Sequence, residues 1–233
     1  MEFDIRLTSP VTLSDRVRRA MADFDMKPEH SEEHFEGNID IDGKEWNIGI
    51  IVGGSGTGKS TIAKTLFGQN GYVEAYEYSS TSVLDDMPQD ASLEEIEKAF
   101  SSVGFSSPPS WMKPYSVLST GEKMRVDLAR AILQDKEMVV FDEFTSVVDR
   151  NVAKTASLAI QKAIRKAGKR FIAVSCHRDI IEWLEPDWIY DTDEKRFFGY
   201  GEHIVTPLSE LTYIEWETAL KNGCGTYLGS ITI

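Results

Sequence analysis

The chain has 233 residues, 41% of them hydrophobic and 27% charged, a balance that suits one globular domain and excludes disordered and fibrous classes. A formal net charge of −13 weighs against a generic polyanion-binding surface. No apolar run reaches the length of a bilayer span, so direct membrane insertion is not expected.

Two basic clusters, Arg16/Arg18/Arg19 and Lys162/Arg165/Lys166/Lys169/Arg170, read as solvated faces. The acidic start Met1-Glu2-Phe3-Asp4 lacks the basic flank and apolar core of a secretory leader. Cys176 and Cys224 read as reduced thiols, which fits a cytoplasmic protein.

In chain order, residues 3–8 alternate apolar and polar and predict a half-buried strand. Residues 9–38 read as polar and irregular, apart from a short helix near 14–24. Ile39 and Ile41 resume the alternation, and Asp42-Gly43 predicts a hairpin turn into an Ile/Val-rich strand over 46–52. A glycine-rich stretch then leads into a helix over 60–67, closed at Gly68.

Ser92 with Glu95 forms a capping box for a helix whose apolar face carries Leu93, Ile96, Phe100 and Val103, with Gly104 as its stop. A stiff Ser/Pro stretch covers 106–114, and Ser119 with Glu122 opens the next helix with a second capping box. Residues 138–141 form a continuous apolar run ending in acids, as a buried parallel strand does. Val152, Ala156, Ile160, Ile164 and their neighbours mark a long amphipathic helix that stops at Gly168, and 171–174 is the next buried strand. Thr206-Pro207 predicts a helix over about 207–221, followed by a loop and a short strand. The alternation of strand and helix predicts an α/β layer with a parallel core sheet flanked by helices and an N-terminal antiparallel portion, all in a single domain over 1–233.

Chemistry concentrates at Gly53-Gly54-Ser55-Gly56-Thr57-Gly58-Lys59-Ser60, which matches G-x-x-x-x-G-K-[ST] between a predicted strand and a predicted helix. Its glycines let successive backbone N–H groups turn inward around phosphate oxygens, and the helix N-terminus favours negative charge. Gly53, Ser55, Gly56, Thr57, Gly58, Lys59, Ser60 and Thr61 are therefore the candidate nucleotide contacts. Lys59 supplies a cation to the β- and γ-phosphates, and Ser60 is the expected Mg²⁺ ligand. Asp142, 83 residues after Lys59, ends the acidic strand and is the second metal candidate. Glu143 beside it is placed to polarise an attacking water, so a nucleoside triphosphate and Mg²⁺ are implied.

These motifs resemble those of the ABC ATPase superfamily over residues 47–177. Leu118-Ser119-Thr120-Gly121-Glu122 is similar to the family's LSGGQ signature, and Phe144-Thr145-Ser146-Val147-Val148-Asp149 to its P-T-S-A-L-D loop. Ser175-Cys176-His177 places His177 where the family has its switch histidine. The resemblance implies a P-loop NTPase core, ATP hydrolysis and an ATP-dependent homodimer paired head to tail. Ser119 and Gly121 would reach the γ-phosphate bound by the partner chain, Asp149 would organise the interface, and His177 would sense the phosphate beside Glu143. His30, His34 and His203 read as surface residues, and Cys176 beside His177 brings no further metal ligands.

Thr120 and Glu122 depart from the signature, and Glu122-Lys123 resembles the SMC and Rad50 type, whereas residues 125–133 read like the helix after a transporter signature. Phe144 replaces the family's proline, which leaves that turn less rigid. Gln89, Asp85 and Asp86 are candidates for the place where the family offers a glutamine to the metal, although each reads more readily as a solvated loop residue. Phe24 and Phe35 are candidates for the aromatic that stacks on adenine, although each reads more readily as a core residue. Lys59 and Leu118 are 59 residues apart, which implies a reduced helical subdomain at about 85–130 and argues against a transporter subunit. Over 3–191 the chain also looks similar to ABC ATPases fused to an acetyltransferase domain, although only about 40 residues follow Asp191 and no such domain is expected. The leading expectation is a soluble ATPase acting on a macromolecular partner, with DNA and RNA as candidates. The alternative is the ATP-binding subunit of a membrane transporter.

Overall fold

The computed structural model describes residues 1–9, 14–25, 31–68, 71–73 and 76–199. The helix expected at 207–221 and the strand after it lie outside these residues, as do His30, His203 and Cys224. Six strands form one sheet in the order β4(Tyr72–Val73), β5(Met138–Phe141), β6(Arg170–Ser175), β3(Ile48–Val52), β7(Trp188–Asp191), β8(Arg196–Phe198). The first five run parallel and β8 returns antiparallel to β7. Central β3 is buried along its whole length, which explains its unbroken apolar run. Helices α2(Lys59–Phe67), α5(Thr120–Leu133) and α6(Arg150–Ala167) supply the crossovers, and the α/β class expected from the alternation holds.

The N-terminal antiparallel portion is present with a different partner from the one expected. β1(Glu2–Ser9) pairs with β2(Ser31–Asn38) in a separate two-stranded sheet, and β3 leaves for the parallel sheet. The turn at Asp42-Gly43 does form, with Lys44 N–H donating to the Ile41 carbonyl at 3.3 Å, but it redirects the chain between two sheets. Strand β2 escaped the periodicity reading because Glu32, Glu33, His34 and Glu36 give it no apolar alternation. Its pairing is carried instead by backbone hydrogen bonds to β1. The ribbon joins the core through Phe3, Ile39 and Ile41, which pack with Phe67, Trp188 and Tyr190.

α1(Asp15–Asp23) starts at Ser14, whose hydroxyl accepts from Val17 N–H. α3(Leu93–Ser102) carries its expected capping box, and Ile96 and Phe100 are buried, whereas Leu93 is 57% exposed. Leu93 is the first residue of the helix. The Ser/Pro stretch folds into α4(Pro108–Trp111), followed by a 3-10 turn at Tyr115–Val117, so more than one helix precedes the signature. Two members of the second basic cluster are spent inside the chain, while Lys162, Lys166 and Arg170 are exposed as a solvated face requires. Arg165 pairs with Asp187 at 3.0 Å, and Lys169 donates to the Ile132 and Gln134 carbonyls at 2.7 Å each. Helix α7(Ile180–Leu184) and strands β7 and β8 complete the unit. No helix among the described residues is long and apolar enough to cross a membrane.

Candidate functional site

The stretch 53–60 lies between the end of β3 and the start of α2, as the motif requires. Gly56 and Gly58 have φ of 81° and 86°, a left-handed geometry that leaves backbone N–H groups free to line a concave turn. Gly58 is the N-cap of α2 and provides no side-chain cap, so the first amides of that helix are left for an external anion. Lys59 is buried, with its ammonium folded back onto the Gly54 carbonyl. Ser55 and Gly56 are exposed at the tip, and the Thr57 hydroxyl donates to the Gly54 carbonyl at 2.9 Å. Thr61 sits in the first turn of α2, where its carbonyl accepts from the Thr65 hydroxyl at 2.8 Å.

β5 delivers Asp142 beside the P-loop. The Ser60 hydroxyl donates to Asp142 Oδ1 at 3.1 Å, so the two metal candidates meet across 82 residues of chain. Two further donors orient this carboxylate: Glu143 N–H at 2.9 Å to Oδ1, and the Tyr72 hydroxyl to Oδ2. Tyr72 was not foreseen from sequence; its signal is only that it begins the edge strand next to β5. Glu143 is exposed with φ 52°, and Phe144 N–H donates to the Val174 carbonyl at 2.9 Å, which pins the loop to β6. Phe144 is fully buried, so it anchors this turn where a proline would stiffen it.

The uncapped amides, the buried ammonium and the hard-oxygen pair fit a nucleoside triphosphate with Mg²⁺. Lys59 and the α2 amides would hold the phosphates, and Ser60 and Asp142 would hold the metal.

His177 follows β6, with its N–H donating to Ser175 Oγ at 3.1 Å. Its Nδ1 is buried without a partner among the described residues. Ser119, Gly121 and Asp149 form a second group. Ser119 caps α5 through the reciprocal bond with Glu122, whose carboxyl is held below its ordinary range by the Ser119 backbone and hydroxyl donors. Asp149 caps α6, accepting from Asn151 and Val152 N–H at 2.9 and 3.1 Å. The two helix starts adjoin, because a Cβ on Gly121 would stand 3.3 Å from Val152 Cγ1. The hydrogen bonds of this group stay local and do not reach the P-loop.

The remaining candidates sort clearly. Phe24 is 76% exposed at the end of α1 and is not a core residue. Phe35 lies against the P-loop, since a Cβ on Gly58 would collide with its ring. It also lines a cavity of about 280 Å³ together with His34, Thr57, Tyr190, Thr192 and Asp193. Asp86 accepts from Ser79 and Ser80 N–H, Asp85 accepts from the Ser82 hydroxyl, and Gln89 donates to the Asp85 and Met87 carbonyls. None of these bonds reaches Ser60 or Asp142. His34 is a surface residue, as expected, 2.9 Å from Asp4.

Residues 72–146 match the family model described as ABC transporter. The chain is 26% identical to the methionine import ATP-binding protein MetN of Clostridium tetani, over 79% of this chain and 71% of that protein. It is 35% identical to the ABC-type transporter MDR1 of Aureobasidium melanogenum over 44% of this chain, and spans 7% of that protein. Among solved structures, cbiO1 of Clostridium perfringens, part of the ABC transporter complex cbiONQ, superposes with a TM-score of 0.57 at 21% identity, covering 74% of this chain and 82% of that one. The ATP-bound structure of a bacterial Atm1-family ABC exporter gives 0.54 at 23% identity, covering 75% and 37%. These structures share the fold. Residues 72–146 thus resemble an ABC transporter domain, and the described chain shares the fold of solved ABC cassettes.

Proposed function

We propose that the chain is one half of a composite ATPase site that a second copy completes, and that its cycle drives a membrane-embedded transport partner. The observation that carries the ATPase is the meeting of Ser60, Asp142 and Lys59 at an uncapped helix start, with exposed Glu143 directly after Asp142. Lys59 and the amides of α2 bind and orient the triphosphate, and Glu143 takes a proton from the attacking water. His177, whose Nδ1 has no partner among the described residues, orients the γ-phosphate end. Mg²⁺, when bound, offsets the charge that develops on the phosphate oxygens. Ser119, Gly121 and Asp149 stand apart from these groups on adjoining helix starts, and a head-to-tail partner brings them to the nucleotide. Phe35, against Gly58, is the aromatic assigned to the base. The membrane partner is supported by the transporter family match and by the likeness to MetN.

A second reading, a cassette acting on a macromolecule away from membranes, is favoured by the 59-residue interval between Lys59 and Leu118. Within it α4 spans only four residues, which leaves a small helical subdomain.

Phosphate release from Mg-ATP tests the common core. Glu143→Gln is expected to lower turnover by about 100-fold or more, the usual scale for a lost general base. The same variant is expected to elute as a dimer in Mg-ATP by light scattering. A chain that stays monomeric at saturating ATP rules out the composite site.

A further inference from the structure

Arg178, Asp191 and Asp193 form a charged cluster beside the P-loop. Arg178 directly follows His177. Its guanidinium donates through both Nη atoms to Asp191, and Nη2 donates to Asp193 at 2.7 Å. Asp191 is fully buried at the end of β7 and also accepts from the Asp193 and Glu194 N–H groups at 3.0 and 3.2 Å. Asp193 in turn receives the P-loop's Gly54 N–H on both carboxylate oxygens, at 3.1 and 3.0 Å. The Gly54 amide and the Arg178 cation hold its carboxyl below the ordinary range.

The same turn also grips the end of β3 and the phosphate loop itself. Thr192 N–H donates to the Val52 carbonyl at 2.8 Å, and the Thr192 and Thr57 hydroxyls are 2.6 Å apart. A continuous polar path therefore runs from Gly54 through Asp193 to Arg178 and the backbone of His177. On the other flank Asp179 receives a two-pronged pair from Arg150, at 2.8 and 2.6 Å, directly after Asp149. The His177 ring has no partner on Nδ1 among the described residues, so its place there depends on how this loop is anchored.

We propose that Arg178 is a positioning residue that, through Asp193, holds the His177 loop in register with the P-loop. Movement of the phosphate loop on binding nucleotide is then passed to the histidine. The inference rests on the ATPase reading above. A guanidinium suits the task because its planar fork bridges two carboxylates at fixed geometry, which an ammonium cannot do.

The experiment compares wild type, Arg178→Lys, Asp193→Asn and the double variant by phosphate release and thermal melting. Arg178→Lys keeps a cation for buried Asp191. Asp193→Asn lies on an exposed turn, keeps an oxygen for the Gly54 N–H and loses the charge that faces Arg178. Each single variant is expected to lower kcat about tenfold with KM for Mg-ATP within about twofold. The double variant should be no slower than the slower single, because both break one path. Unchanged kcat, multiplying losses in the double variant, or a fall in kcat matched by a rise in KM and a lowered melting temperature would each overturn the proposal. A wild-type chain that turns over no ATP defeats the parent reading, and this one with it.

Discussion

Asp127 on α5 lies among aromatic rings. The Tyr78 and Tyr115 hydroxyls donate to its carboxylate at 2.6 and 2.8 Å, their rings stack at 3.9 Å, and Arg130 stands over Tyr76 and Tyr78. Burial is the largest influence on Asp127 and pushes its carboxyl up, against the hydrogen bonds and nearby cations that pull it down. For a group raised in the folded state, the stabilising contribution is complete below the unfolded pKa and is lost as pH rises through the folded one. Asp127→Asn removes that titration while keeping an oxygen acceptor. The melting temperature of wild type relative to Asp127→Asn is therefore expected to fall as pH rises from about 4 toward 8, starting near the ordinary carboxylate value. Parallel melting curves across that range would show that the carboxylate is buried without penalty. Sequence shows Asp127 only as one acid on an amphipathic helix, because its tyrosine partners come from segments 49 and 12 residues away. Tyr72 escaped notice for the same reason, lying 70 residues from Asp142. Lys59 and Ser60 were legible from one run of adjacent residues and Asp142 from a separate apolar run ending in acids, so each carried its own local pattern although 82 residues separate Ser60 from Asp142.

At the scale of elements, the same cap serves two helices with different duties. Ser92 and Ser119 both close reciprocal capping boxes, with Glu95 and Glu122 respectively. Losing either hydroxyl costs about 1 kcal/mol of stability, or a fall of roughly 2–4 °C in melting temperature for a domain of this size. Ser92→Ala should show that loss alone, with phosphate release unchanged. Ser119→Ala should show the same loss of stability and a larger fall in turnover, because its helix start faces the partner's nucleotide in the proposed dimer. Equal turnover in the two variants would confine Ser119 to capping. Caps, the P-loop and buried β3 and β5 were readable because local chemistry determines them. β2 and the route of β3 were not. A polar ribbon strand has no periodic signal, and a turn at Asp42-Gly43 looks the same whether its flanks pair with each other or part into two sheets.

Across the whole molecule, charge helps to separate the two partner readings. The chain carries −13, and Arg165 and Lys169 of its longer basic cluster are committed to Asp187 and to carbonyls at the end of α5. Arg170, in turn, stands over the Trp46 ring. A surface that binds nucleic acid through several phosphates releases counterions, so its affinity falls steeply with salt. A face that docks a membrane protein through shape and apolar contact is far less sensitive to salt. ATP turnover is accordingly expected to be indifferent to duplex DNA, single-stranded DNA and RNA at low ionic strength, and the chain is expected to co-purify with a membrane protein from detergent extracts of its native cells. Stimulation by any of these nucleic acids that fades as salt rises from about 50 to 200 mM would reverse the assignment. The small helical subdomain would then be a trait of a cassette freed from the membrane. Because both readings use the same Lys59, Asp142 and Glu143, this measurement changes only what the ATP cycle moves, and a Glu143→Gln dimer formed in Mg-ATP stands under either result.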